Sequence, residues 1–230
     1  EDGDIDTNFP TLMGPQRPGN FINHLDDISR ADGGVIYELR SPFGYGFRTR
    51  ASLYGTPDGG YPLVLDYTNT DLGEVPGVTD DDQRTRNVIG AKLRGGTQGE
   101  LSYVVTDGPL GTVAVGEYED GGIEVALNDT SQLADFVSWL GFLGTWDEDR
   151  WPDLTLHLHR TPFTSNLQKF VDALHLDIGQ LLQVQNPPVW VSADSVLQQM
   201  RAVSVRLSNF TISLTYTLLP GGPYGSLGEL

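Results

Sequence analysis

No cysteine occurs among the 230 residues. Disulfide staples and thiolate metal sites are thereby excluded, but the compartment is not decided, because extracellular particles are also built without disulfides. Basic residues are scarce: 14 Lys and Arg stand against 31 Asp and Glu, a formal net charge of −17. A surface of that sign repels phosphate backbones and anionic lipid headgroups, so direct nucleic-acid binding is not expected. Long hydrophobic runs are also missing. Val137–Leu143 (VSWLGFL) is among the longest, far short of the roughly 18 apolar residues of a membrane span. No GxSxG, Walker loop or HExxH occurs, which leaves hydrolysis by those routes without support.

What is present is turn chemistry. The 28 Gly and 14 Pro exceed the roughly 12% of average usage and predict many short strands and few long helices. The 38% hydrophobic residues are enough for a real core in one large or two smaller domains. The opening EDGDIDTNFP has neither an initiator Met nor a signal sequence, and reads as part of a longer or processed polypeptide. Residues 1–19, with Pro10, Pro15 and Pro18, read as an extended acidic connector.

A helix follows, with Asn20 as cap, Phe21, Leu25 and Ile28 as its apolar stripe, and Gly33 as its stop. Val35–Leu39 and Gly46–Leu53 read as a hairpin around SPFGYG, and YPLVLDY as a further apolar stretch. NVIGAKLRG and ELSYVVTDG read as a second hairpin across a Gly-rich turn. Short glycine-bounded pieces are expected from Pro109 to Leu127. A second helix comes next, capped by Asp129 or Thr130, with Leu133, Phe136, Val137 and Leu140 on one face.

WPDLTLHLHR alternates as a strand with Leu154, Leu156 and Leu158 toward the core, and His157 and His159 facing outward or toward a neighbouring subunit. A third helix, Ser165–Leu174, leads to DIGQLLQVQNPP. There Leu181, Gln183 and Gln185 share one strand face, Leu182 and Val184 the other, and the two prolines end pairing at Asn186. SVLQQMRAVSVRLS and FTISLTYTLLP read as a final antiparallel pair across Ser208 and Asn209. The fold class is α+β, mainly antiparallel, with about three short helices. The expected divisions are 1–19 connector, 20–106 helix and hairpins, 107–151 insertion-like segment with the second helix, 152–220 strand-helix-strand part, and 221–230 tail.

Four groups of side chains invite a chemical reading. Asp2, Asp4, Asp6 and Asn8 alternate as calcium-loop oxygens would, but no Gly follows the third Asp and Leu12 or Met13 stands where the bidentate Glu belongs. His157 and His159 share a strand face without a visible third zinc ligand, and His24 and His175 are isolated. Asp147, Glu148 and Asp149 beside Trp146 and Trp151 have the residue types of a glycosidase. Neighbours in one turn seldom hold two carboxyls the required 5 Å or so apart across a bond. Phe43 and Tyr45 in SPFGYG, and Trp190 in NPPVW, are candidate partner-contact residues. No catalytic residue, metal or cofactor is expected.

The order of five stretches adds a resemblance. FINHLDDISRADGGVIYELRSPFGYGFRTRASLY resembles the helix, glycine pair and hairpin of tail-tip or baseplate hub proteins of long-tailed phages. DDDQRTRNVIGAKLRGG, then TWDEDRWPDLTLHLHRTPF, LHLDIGQLLQVQNPPVW and FTISLTYTLLPGGPYG look like minor tail proteins of phages infecting actinobacteria, in the same order. The similarity covers about Phe21 to Tyr224. Gln180 and Leu181 depart from the family pattern, which often has Asp and a basic or β-branched residue there. The resemblance implies a structural virion protein with barrel-like sheets, in which the DIG strand is one wall of a closed or nearly closed barrel. It implies a homo-oligomer, a trimer by preference, joining tail tube or distal tail ring to fibres or receptor-binding proteins. The alternative is a carbohydrate-binding or carbohydrate-cleaving module of a virion-borne or secreted protein.

Overall fold

Asn20 and Gly33 mark the ends of the first helix. The Asn20 side chain accepts a hydrogen bond from the Ile22 amide, and Gly33, at φ 75°, donates its own amide to the Ser29 carbonyl. A Cβ at Gly33 would lie 2.5 Å from the Trp139 ring, so the position requires glycine twice over. The computed structural model describes residues 11–16, 18–39, 43–54, 60–72, 77, 84–94, 99–147, 151–191 and 195–225.

The chain runs α1 (Phe21–Asp32), β1 (Val35–Glu38), β2 (Tyr45–Arg48), β3 (Leu63–Asp66), β4 (Val88–Leu93) and β5 (Glu100–Val104). It continues with a single turn α2 (Thr112–Val115), β6 (Glu119–Val125), α3 (Thr130–Gly144), β7 (Asp153–His157) and α4 (Leu167–His175). The last elements are β8 (Leu181–Gln185), β9 (Ser195–Leu207), β10 (Ile212–Pro220) and a second single turn, α5 (Gly222–Gly225). The fold is α+β, as the alternation patterns predict. Two compact units divide the chain: Glu1–Leu53 with Asp82–Asp147, and Tyr54–Asp81 with Glu148–Leu230.

In the first unit β1 and β2 pair antiparallel, with Glu38 opposite Tyr45. The expected continuation of β2 to Leu53 does not form. Thr49 Oγ1 accepts from the Ser52 amide and Ser52 Oγ donates to the Thr49 carbonyl, which turns the chain into a 3-10 turn over Ala51–Leu53. Phe21, placed on the buried stripe by its spacing, is instead 67% exposed, and Ala31 is the buried residue of α1.

The hairpin of β4 and β5 forms as expected, but β6 adds to the other side of β4 in parallel. Asn87 explains a strand that EDGGIEV does not announce. Its buried amide donates to the carbonyls of Leu110 and Gly116 and accepts from the Tyr118 amide, so the connection through α2 folds around one side chain. Asp129 caps α3 by accepting from Ser131 and Gln132. Leu133, Phe136 and Val137 of α3 then pack with Ile89 and Ala91 of the sheet. Close approach depends on Gly141, where a Cβ would meet the Tyr103 ring at 2.9 Å.

The second unit is one five-stranded sheet in the order β3-β8-β9-β10-β7, parallel only at β3–β8. No ladder joins its edge strands β3 and β7 among the described residues, and the fold includes a curled half-barrel rather than a closed barrel. Leu154, Leu156 and Leu158 are buried as alternation demands, beneath α4 and its Ala173 and Leu176. Within β8, Leu182 and Val184 face that core while Leu181 is buried on the opposite face. The strand ends at Asn186, whose φ of 49° precedes the two prolines.

β9 changes face midway. Thr217 lies opposite Ala202 but Leu218 opposite Met200, so Arg201 is an extra, bulged residue. Before the bulge Val196, Gln198 and Met200 face the core; after it Val203, Val205 and Leu207 fall on that side, Val203 packed against the core and Val205 and Leu207 exposed. Gln198 and Gln199 are both fully buried, and neither side-chain amide has a hydrogen-bond partner among the described residues.

Two expectations follow for chemical or thermal unfolding. Leu156→Ala should lower stability by about 2 to 5 kcal/mol; a neutral result would overturn the face assignment. Gln198→Met should raise stability by about 1 kcal/mol, because it removes a buried amide that bonds to nothing. A loss of stability would show that the amide is satisfied.

Candidate functional site

Trp151 is 0% exposed in the core of the second unit, where no sugar can stack on it. Trp146 belongs to the first unit, half-buried edge-on against Phe142 with ring centroids 5.2 Å apart. Asp147 is exposed, while Glu148 and Asp149 lie outside the described residues. So do Asp2, Asp4, Asp6 and Asn8 of the calcium-like stretch.

His157 and His159 are half-buried on the polar side of β7, with rings 5.5 Å apart. His157 Nδ1 lies 3.1 Å from Ser213 Oγ. His159 Nδ1 lies 3.2 Å from the Ile212 carbonyl, which can only accept, so that nitrogen carries a proton. Among the described residues no group of three His, Cys, Asp or Glu side chains is placed to hold a metal. His24 is half-buried on α1, and His175 is exposed at the end of α4.

A polar cluster that sequence reasoning missed lies after β3. Asp66 accepts from the Thr68 amide and hydroxyl and from the Asn69 side chain, closing the turn that carries the chain to Asp71. Asp71 is buried; its Oδ2 accepts from the Asp66 amide and the Lys169 ammonium, tying the turn to α4. Asp71, His157, Arg160 and Thr161 line a recess of about 280 Å³. No spacing in the sequence announces this cluster, because Lys169 lies 98 residues from Asp71.

The exposed apolar residues are more informative. Phe43 stands fully in solvent at the tip of the β1–β2 hairpin, Tyr45 begins β2 at 60% exposure, and Trp190 is 63% exposed beside Val189. All three expected contact residues are exposed. The structure adds Val205, Leu207 and Phe210, exposed on the β9–β10 hairpin where it runs past the end of β8. Val205 and Leu207 lie beyond Gln199, where β8 stops pairing with β9.

Comparison with known proteins gives the fold its context. No family model and no curated protein matches the sequence. Solved structures do. A 43 kDa tail protein of prophage MuSo2 from Shewanella oneidensis matches over 91% of this chain and 55% of its own, with TM-score 0.51 and 12% identity. A tail protein from Neisseria meningitidis MC58 matches over 91% and 58%, with TM-score 0.54 and 12% identity. The virion of a native gene transfer agent particle contains a chain matched over 93% and 43%, with TM-score 0.54 and 17% identity. The chain therefore has the fold of phage tail proteins and spans about half the length of those it matches.

The turn before Asp71 makes stability depend on pH. The Thr68 hydroxyl, helped by the Asn186 side chain and backbone amides, holds the Asp66 carboxyl below its ordinary 3.8. A depressed carboxyl contributes stability that is full above the unfolded value and is lost as pH falls through the folded one. Urea midpoints should therefore fall as pH drops below the ordinary carboxyl value of 3.8, and Asp66→Asn should flatten part of that dependence. An unchanged slope in the variant would remove Asp66 from the account.

Proposed function

We propose that this chain is a structural component of a phage tail, placed at the tail tip as a hub between tail tube or distal ring and fibres or receptor-binding proteins. The observation that carries the reading is the match of nine-tenths of the chain to tail proteins of two prophage or bacterial sources and to a virion component. Its order of segments, similar to minor tail proteins of long-tailed phages infecting actinobacteria, supports the finer placement. On this reading the chain carries out no covalent chemistry and works by holding protein neighbours around an axis as a homo-oligomer, a trimer by preference.

The surfaces fit such a role. Phe43, Tyr45 and Trp190 offer apolar contact on loops and hairpin tips, where a scaffold presents binding groups. With a net charge of −17, contacts among copies must avoid juxtaposed carboxylates, each such meeting costing up to several kcal/mol. Apolar and backbone-mediated contacts meet that condition.

Gold-labelled antibody against this chain, applied to purified particles of the phage that encodes it, should mark the tail end distal to the capsid. Labelling of the capsid, or absence of the chain from washed particles, would sink the reading. Labelling along the tube would retain the tail role and remove the hub.

A further inference from the structure

The two edge strands of the curled sheet in the second unit, β3 and β7, bring one recess together. Thr70 and Asp71 arrive on the turn after β3, His157 ends β7, and Arg160 and Thr161 follow it. These residues line a space of about 280 Å³. Pockets for drug-sized ligands run from roughly 300 to 1,000 Å³, so this one has room for a single small ring. The mouth of a curled or closed sheet is a recurrent place for such a ligand.

Two of these side chains have bonding capacity that the protein does not use. Asp71 is 1% exposed; its Oδ2 accepts from the Asp66 amide and the Lys169 ammonium, but its Oδ1 has no partner among the described residues. A buried carboxylate oxygen without a donor costs stability. The Arg160 side chain is exposed and forms no hydrogen bond or ion pair among the described residues. A carboxylate oxygen only accepts and a guanidinium only donates, so whatever joins the two must do both. A bare anion brings Asp71 no donor and meets its charge. A bare cation meets Arg160 and Lys169. Two neighbouring hydroxyls satisfy both groups, one donating to Asp71 Oδ1 and the other accepting from Arg160, with the exposed Thr161 hydroxyl able to take either role.

We propose that this recess binds one sugar ring through a pair of adjacent hydroxyls held by Asp71 and Arg160. Asp71 Oδ1 is shut off from solvent, so a hydroxyl reaches it only as the rim at Thr70 shifts. Thr70 stands exposed at φ 58°, a conformation that a β-branched residue seldom holds. The site goes beyond the tail role and does not depend on it.

Amide NMR titration of the chain tests it, with D-glucose, D-galactose, D-mannose, L-rhamnose and N-acetyl-D-glucosamine added separately. At least one should move the signals of Thr70, Asp71, Arg160 and Thr161 saturably, with a Kd on the order of 1 to 10 mM. Arg160→Gln, a change at an exposed side chain, should weaken binding of that sugar about tenfold or more. Asp71→Asn should do the same, because it keeps an oxygen for the Asp66 amide and sets an NH2 group in place of Oδ1. Circular dichroism checks that both variants fold. Sodium sulfate and methylammonium chloride should leave the four signals in place. No saturable shift with any of the five sugars, unchanged affinity in Arg160→Gln, or saturable shifts of the same amides with sulfate or methylammonium would each overturn the site. Particle labelling judges the tail assignment separately.

Discussion

The bulge at Arg201 is the constraint on which the second unit depends. β9 spans 13 residues and must pair with β8 along its first part and β10 along nearly all of it. A strand's side chains alternate strictly, so an unbroken β9 would keep Met200 inward and turn Val203, Val205 and Leu207 to the polar face. One extra residue restores them to the side of Leu214 and Tyr216, their cross-strand partners on β10. Tyr216 then reaches past the sheet to donate its hydroxyl to the Ala173 carbonyl, which anchors α4 over the same core. Sheet, helix and hairpin overhang thus share one irregularity. Bulges are placed where a strand must be re-aimed, and here the re-aiming leaves apolar side chains beyond the cover of α4.

The first unit depends on a different device. Its three-stranded sheet joins an expected hairpin to a parallel third strand, and a parallel addition needs a crossover. Asn87 supplies the organising polar group, taking three backbone partners from the crossover while its own backbone pairs with Tyr118 and Val105. A buried amide with both donors and its oxygen bonded specifies one path for the chain between β5 and β6. The contrast with Gln198 and Gln199 is physical: those amides are just as buried and have no partner among the described residues, so nothing in that set offsets their desolvation as the three bonds of Asn87 offset its own.

The two tryptophans that made a sugar site attractive belong to separate units, one of them wholly buried. What the surface does offer is backbone and apolar area at hairpin tips and strand edges, set in a strongly acidic chain. Strand edges and apolar hairpin tips are groups through which proteins can contact one another.

Several features were legible from residues alone because their causes are local. Asn20, Asp129 and Gly33 mark helix ends through their own side chains or dihedral freedom, and the Leu154, Leu156, Leu158 alternation follows from the period of a strand. The Pro187–Pro188 stop after β8 is equally local, since neither residue can donate to a ladder. The absence of cysteine and the excess of acid likewise required no coordinates. Only tertiary structure decided that β3 and β8 pair in parallel, that β6 joins β4, and that residues 54–81 share a core with residues 148–230. It alone placed Lys169 on Asp71 and left Val205 and Leu207 in solvent. The reason is that a strand's periodicity states which residues share a face but not which strand lies beside it, nor where that neighbour ends.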